Sequence, residues 1–173
     1  MPEDKVLLYS KQLIEQKTRE IAEKISRDYQ GKKVILIGVL KGSFIFLADL
    51  VRFLTIPVTI DFVMISSYGS KASSSGELKI TKDIEIPLWG KAVIIVEDIV
   101  DTGLTLFKFT EILKARKPES VKICALIDKI HRREKEVEID YPGFQVKEGF
   151  LVGYGLDFDE KYRQLPGIYA IRE

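Results

Sequence analysis

Residues 95–105, Ile-Val-Glu-Asp-Ile-Val-Asp-Thr-Gly-Leu-Thr, bring together three carboxylates (Glu97, Asp98, Asp101) and a short loop of threonine and glycine. An apolar run, 92–96, precedes them and an amphipathic stretch begins at Leu106. A strand that feeds a helix through such a loop is a phosphate cradle. Gly103 permits close backbone approach, and successive N–H groups with the helix N-terminus turn positive dipole toward an anion. Carboxylates beside a phosphate repel it unless they bind sugar hydroxyls or share a cation with the ligand. The pattern therefore points to a ribose phosphate handled with magnesium.

Three further segments carry chemistry. Gly38-Val39-Leu40-Lys41-Gly42-Ser43 lacks the Gly-Lys-Ser/Thr of a nucleoside triphosphate loop, but offers a cation and flexible backbone to a second anion. Leu126-Ile127-Asp128-Lys129 ends an apolar run with a charged pair. Phe150-Leu151-Val152-Gly153-Tyr154-Gly155-Leu156-Asp157 offers an aromatic face to a flat base, a contact that stabilises by about 1–3 kcal/mol by analogy with nucleic-acid bases. Asp157 adds an oxygen ligand suited to magnesium.

These segments need a scaffold, and the apolar pattern predicts one. Leu13, Ile14, Ile21 and Ile25 recur at helical spacing between Ser10, an N-cap, and Gly31, a stop. Strands are predicted over 33–39, 57–65 (alternating, half-buried), 78–81, 91–96 and 121–127. Helices are predicted over 44–54, with Phe44, Leu47, Leu50, Val51 and Leu54 inward, and over 104–117. Residues 66–76 form a serine-rich loop. Continuous apolar strands alternating with helices predict an α/β fold, a mainly parallel sheet covered on both faces, with ligands beyond the carboxyl ends of its strands.

At 173 residues the chain fits one domain, and its 46% hydrophobic and 31% charged content is ordinary for a globular protein. A net charge of +1 favours neither nucleic acid nor an anionic membrane, and no apolar run approaches membrane-spanning length. Cys124 lies in an apolar run and reads as a core thiol, while His131, among Arg132, Arg133 and Lys135, reads as a solvated loop residue. With one histidine and one cysteine, zinc sites and Ser-His or Cys-His catalysis lack material. A cytoplasmic protein is expected.

The string Val-Glu-Asp-Ile-Val-Asp-Thr-Gly-Leu-Thr resembles the signature of type I phosphoribosyltransferases, and the resemblance covers about residues 5–170. It implies a single domain with a core over about 30–130 and a small hood from the N-terminal segment and about 131–173. It implies 5-phosphoribosyl 1-pyrophosphate as donor, bound by Leu40, Lys41, Gly42, Glu97, Asp98, Asp101, Thr102, Gly103, Leu104, Thr105 and Arg163. One magnesium is expected on Glu97 and Asp98 and a second on Asp157, and Asp101 is the expected general base. Ser67 and Tyr68 match a lid. Lys129, Phe150, Leu151 and Asp157 match the purine site of the branch that salvages 6-oxopurines. A lysine has donors and no acceptor, so it pairs with the 6-oxygen of hypoxanthine or guanine and not with adenine's amino group. Buried polar pairing of this kind can reject a wrong partner by roughly 10⁴-fold. One departure stands out: Gly155 occupies a position where many relatives carry a larger side chain.

The implied reaction gives IMP or GMP and pyrophosphate, in a homodimer or homotetramer with small-molecule substrates. Xanthine or another base remains an alternative acceptor. A donor-sensing regulatory protein of the same fold is the alternative of another class; near-neutral charge and the lack of spare length weigh against it.

Overall fold

Alternation along the central strands builds the molecule in layers. The computed structural model describes residues 4–67 and 77–172. Its larger sheet contains β2 (Val34–Leu40), β3 (Val58–Ser67), β4 (Leu78–Lys82), β5 (Ala92–Val100), β6 (Ser120–Lys129) and β7 (Tyr141–Val146), in the order β4-β3-β2-β5-β6-β7. Neighbouring strands run parallel except β3 and β4, which are antiparallel. Val34 and Leu36, Ala92, Ile94 and Val96, and Cys124 and Leu126 face a core shared with α1 (Lys11–Asp28) and α2 (Phe44–Phe53). The intervening Ile35, Ile37, Val93, Ile95, Ile123 and Ala125 face a second core beneath α3 (Leu104–Ala115). A side-chain period of two with both faces covered is what continuous apolar runs require. The expected α/β architecture is thus the one found.

The helices follow from their ends and stripes. Ser10 caps α1, its hydroxyl accepting from the Leu13 amide at 3.2 Å, and Gly31 turns the chain afterwards at φ +76°. Leu13 itself is exposed, not inward, while Ile14, Ile21 and Ile25 are buried. In α2 the inward stripe is Phe46, Leu47 and Leu50, and Phe44 is 44% exposed. Phe-Ile-Phe-Leu-Ala-Asp-Leu-Val-Arg-Phe is apolar almost all round. Periodicity alone therefore cannot choose its phase.

A second sheet of three antiparallel strands, in the order β1-β9-β8, joins β1 (Lys5–Tyr9), β8 (Phe150–Val152) and β9 (Ile168–Ile171). The hood expected from about residue 131 therefore starts later, because β7 extends the larger sheet in parallel with β6. Pro142-Gly143 reads as a break in the sequence but sits inside this strand. A Cβ on Gly143 would lie 2.3 Å from the Leu126 carbonyl oxygen, so the glycine allows a close strand approach. Tyr141 is buried in the α1-side core, and Phe144 stacks on Tyr9 with ring centroids 3.9 Å apart. Strand order reverses between β2 and β5, which opens a crevice at their carboxyl ends.

Candidate active site

That crevice is a cleft of about 350 Å³. Among the expected site residues, Leu40, Lys41, Gly42, Glu97, Asp98, Asp101, Thr102, Gly103, Thr105, Asp157 and Arg163 line it. Leu104 begins α3 behind the loop. Ser67, at the end of β3, places its hydroxyl 2.7 Å from that of Thr105. Tyr68, and with it most of the expected lid, lies outside the described residues. Lys129, Phe150 and Leu151 do not line this cleft. Lys129 ends β6 and is 6% exposed, Leu151 is buried in the hood, and Phe150 is half exposed with its ring edge-to-face with Phe158.

The floor is built by β5, which runs on to Val100 and so holds Glu97 and Asp98 within the strand. Asp98 accepts from the Ile99 amide at 2.8 Å. Its other oxygen abuts Gly42, where a Cβ would lie 1.7 Å away. Only glycine lets the Lys41–Gly42 loop approach so closely, and the Leu40–Lys41 peptide in that loop is cis. Burial pushes the Asp98 carboxyl up to about 6, against the pull of the Ile99 amide. Burial, with the Asp98 charge beside it, also holds Glu97 well above the usual carboxylate range. Two half-buried acids that resist ionisation together are a site that a cation would relieve.

Residues 101–105 form the loop between β5 and α3. Gly103 caps the helix at φ +82°, and a Cβ there would meet the Lys135 carbonyl oxygen at 2.6 Å. The loop is braced from outside: the amides of Glu134 and Lys135 both donate to the Thr102 carbonyl, at 2.9 and 3.1 Å, and Arg133 Nε donates to the Asp101 carbonyl at 3.2 Å. Arg133 also pairs with Asp128 at the end of β6, tying that strand end to the loop. Arg132 pairs with the Asp101 carboxylate at 3.2 Å, while the other Asp101 oxygen, Oδ1, is buried without a hydrogen-bond partner among the described residues. His131 is exposed in the short 3₁₀ turn Ile130–Arg132, as its neighbours suggested. Cys124 is fully buried, with its thiol pushed far up by burial, and plays no part in the cleft.

The opposite wall comes from the chain after β8. Arg163 donates to the Gly155 carbonyl at 2.7 Å and pairs with Asp157 at 3.2 Å, but its Nε is buried without a partner among the described residues. Gly155 stands at φ +97°, and a Cβ would lie 2.2 Å from the Gly42 carbonyl oxygen. The departure noted in the sequence thus belongs to a backbone contact between the two walls. Both oxygens of Asp157 are engaged, one by Arg163 and one by the Glu160 amide at 2.9 Å. Glu97 and Asp98 were expected to hold one magnesium and Asp157 a second; among the described residues no group of three or more potential ligands converges on one point, and neither expectation needs one. Magnesium usually takes one or two protein carboxylates and completes its shell with water and substrate oxygens. The adjacent Glu97 and Asp98, held above their usual range by burial, fit an ion bound in that manner.

Three residues in this architecture escaped the sequence reading. Arg132 and Arg133 lay in a run read as solvated, and only the fold folds that run back against the loop. Glu160 pairs with Lys41 at 3.2 Å and Arg163 at 3.3 Å. Its one sequence signal is its place three residues before Arg163.

A sheet with a phosphate-type loop after one central strand, a cation-bearing loop after its neighbour and a crevice between them is arranged to receive a sugar phosphate. A family model for the phosphoribosyl transferase domain matches residues 7–159. The chain belongs to the phosphoribosyltransferase family. It is 43% identical over 169 residues to the hypoxanthine-guanine phosphoribosyltransferase of Streptococcus thermophilus, covering 98% of this chain and 94% of that protein. It is 41% identical to the enzyme of the same name from Bacillus subtilis, covering 98% and 93%. Its fold superposes on a crystal structure of a Bacillus anthracis hypoxanthine-guanine phosphoribosyltransferase with a TM-score of 0.94 at 45% identity, over 98% of this chain and all of that one.

Proposed function

We infer that this chain is a purine-salvage phosphoribosyltransferase that moves the 5-phosphoribosyl group from 5-phosphoribosyl 1-pyrophosphate to N9 of hypoxanthine or guanine. One observation carries the reading. Among the described residues, a single cleft holds a buried acceptor without a donor, Asp101 Oδ1, and a buried donor without an acceptor, Arg163 Nε. Buried polar atoms in folded proteins are rarely left so. An imidazole N–H of a purine would satisfy the first and a pyrophosphate oxygen the second.

The reaction breaks the bond between ribose C1 and the pyrophosphate oxygen and forms the bond from C1 to N9. The electron pair of the broken bond leaves on pyrophosphate, and the purine proton passes to Asp101. Residues 101–105 hold the 5-phosphate through backbone amides at the start of α3 and the hydroxyls of Thr102 and Thr105. Glu97 and Asp98 orient the ribose hydroxyls. Lys41 and Arg163 offset charge on the leaving group, an electrostatic contribution made where charge develops. Magnesium, bound through Glu97, Asp98 and the substrate, would supply further neutralisation of that charge. Lys129 donates to the purine 6-oxygen, its near-complete burial supporting a role beyond a solvated strand end. Phe150 stacks on the base, and the backbone at Leu151 and Asp157 meets its other edge.

The same reading makes the cytoplasm the compartment, supported by a single buried, unpaired cysteine. Among the described residues no helix is long and apolar enough to cross a membrane. An assembly of two or four copies, with α2 and its exposed Phe44 as a contact face, is part of the same reading, and sedimentation would test it. The activity is tested by measuring pyrophosphate release from the donor with magnesium and a panel of free bases. Release with hypoxanthine or guanine, and none with adenine, is expected. Release with adenine alone, or with no base, would exclude the assignment.

A further inference from the structure

Residues 157–163 make a tight turn whose conformation is dear for the residues it uses. Asp159, Glu160 and Tyr162 all adopt positive φ, at 50°, 60° and 76°. Each such non-glycine residue carries a backbone cost. The turn is closed by Phe158 and Lys161, whose amides donate to each other's carbonyls at 3.1 and 3.0 Å. The Glu160 amide donates to Asp157 at 2.9 Å. The result is that Glu160 stands at the tip of the turn with its carboxylate between two cations. One oxygen reaches Lys41 Nζ at 3.2 Å and the other Arg163 Nη2 at 3.3 Å. The pairing with Lys41 holds the Glu160 carboxyl below its usual range.

Lys41 and Arg163 belong to chain segments more than a hundred residues apart, and they are the two cations assigned above to the leaving pyrophosphate. A carboxylate that spans both occupies the electrostatic place of that ligand. We propose that Glu160 is a tethered competitor for the pyrophosphate subsite: it neutralises Lys41 and Arg163 when the subsite is free and must let go of them when pyrophosphate or the donor enters. The side chains of Glu160 and Lys41 are 64% and 55% exposed, so the latch opens easily. An exposed ion pair of this kind is worth a factor of about 2–5 in an equilibrium. Such a latch weakens retention of the product without closing the site to the donor. It gives Glu160 a role in product release that no contact with the purine or the ribose would supply.

This inference rests on the function proposed above, so the test separates the two. Binding of magnesium pyrophosphate and of ribose 5-phosphate is measured by calorimetry on the full-length chain, its Glu160→Gln variant and its Glu160→Asp variant. The shorter aspartate keeps the charge but draws it back, and serves if glutamine disturbs the turn. Pyrophosphate binding about 3- to 10-fold tighter in either variant, with ribose 5-phosphate binding unchanged, is expected from the loss of the exposed pair with Lys41 and the partly buried pair with Arg163. Pyrophosphate binding that is equal or weaker in both variants overturns the proposal and leaves Glu160 a structural residue. If the unmodified chain binds neither pyrophosphate nor ribose 5-phosphate, it is the reading of the site that fails. If it binds both and the variants match it, only the latch fails.

Discussion

Replacing Asp98 by asparagine should make the ligand-free protein more stable while impairing the donor site. Burial raises the Asp98 carboxyl from 3.8 to about 6. In the unfolded chain it ionises near its ordinary value. Between those two values the folded state therefore binds more protons than the unfolded state, and stability falls as pH rises through that window. At roughly 1.4 kcal/mol per pH unit of displacement, the full loss above pH 6 is about 3 kcal/mol. Part of it is shared with the neighbouring Glu97, so about 1–3 kcal/mol should be recovered by a neutral side chain. Asparagine keeps the acceptor for the Ile99 amide and nearly the same shape against Gly42. For a chain of this size that gain corresponds to a rise in Tm of roughly 2–10 °C. Calorimetric melting between pH 4 and pH 8 without divalent ions checks it. The gain should be absent near pH 4, open as pH rises and be complete above pH 6. An equal gain at every pH, or none at pH 8, would refute the electrostatic argument.

Asp101→Asn should lower kcat by about 10²–10⁴-fold, the usual range for general-base catalysis, with little change in donor affinity; steady-state kinetics with chemistry shown to be rate-limiting checks this. Lys129→Ala should weaken use of hypoxanthine and guanine while donor binding, read by calorimetry, stays close to normal; equal damage to both would mark a structural lysine. Gly155→Ala should destabilise by about 1–3 kcal/mol, because a side chain at φ +97° is strained and its Cβ would collide with the Gly42 carbonyl. Urea unfolding measures that loss, and the displaced Lys41–Gly42 loop should raise KM for the donor.

The parts of the fold legible in the sequence were those where one physical demand dominates. β2, β5 and β6 must be apolar on both sides, so their residues run together as Val, Ile and Leu and stand out. Ser10 and Gly31 mark α1 because unsatisfied helix ends select hydroxyls and glycine. The loop after β5 was legible because few residue types let backbone amides crowd an anion. Where several packings satisfy the same composition, the sequence was silent. Nothing in α2 distinguishes Phe44 from Phe46 as the buried ring. β7 was hidden because its Pro-Gly pair looks like punctuation until Leu126 is seen lying against Gly143. The expected site was readable where backbone chemistry restricts residue choice, at Lys41–Gly42 and at 101–105. Arg132, Arg133 and Glu160 were not readable, since each acts through a partner that only the tertiary fold brings near.

The pairing of β1 with β9 joins the two most distant described segments, with Lys5 opposite Ile171. Contacts of such long sequence separation carry a high loop-closure entropy and form late unless something else has already gathered their ends. Asp157 and Arg163 hang between β8 and β9, so the wall they build is placed only when this last sheet zips. The large sheet, by contrast, pairs strands consecutive in the chain everywhere except between β2 and β5. Nascent protein should thus acquire its hydrophobic layers first and its ability to grip an anion at the very end. Ligand binding in a refolding experiment would then report completion of the fold rather than collapse.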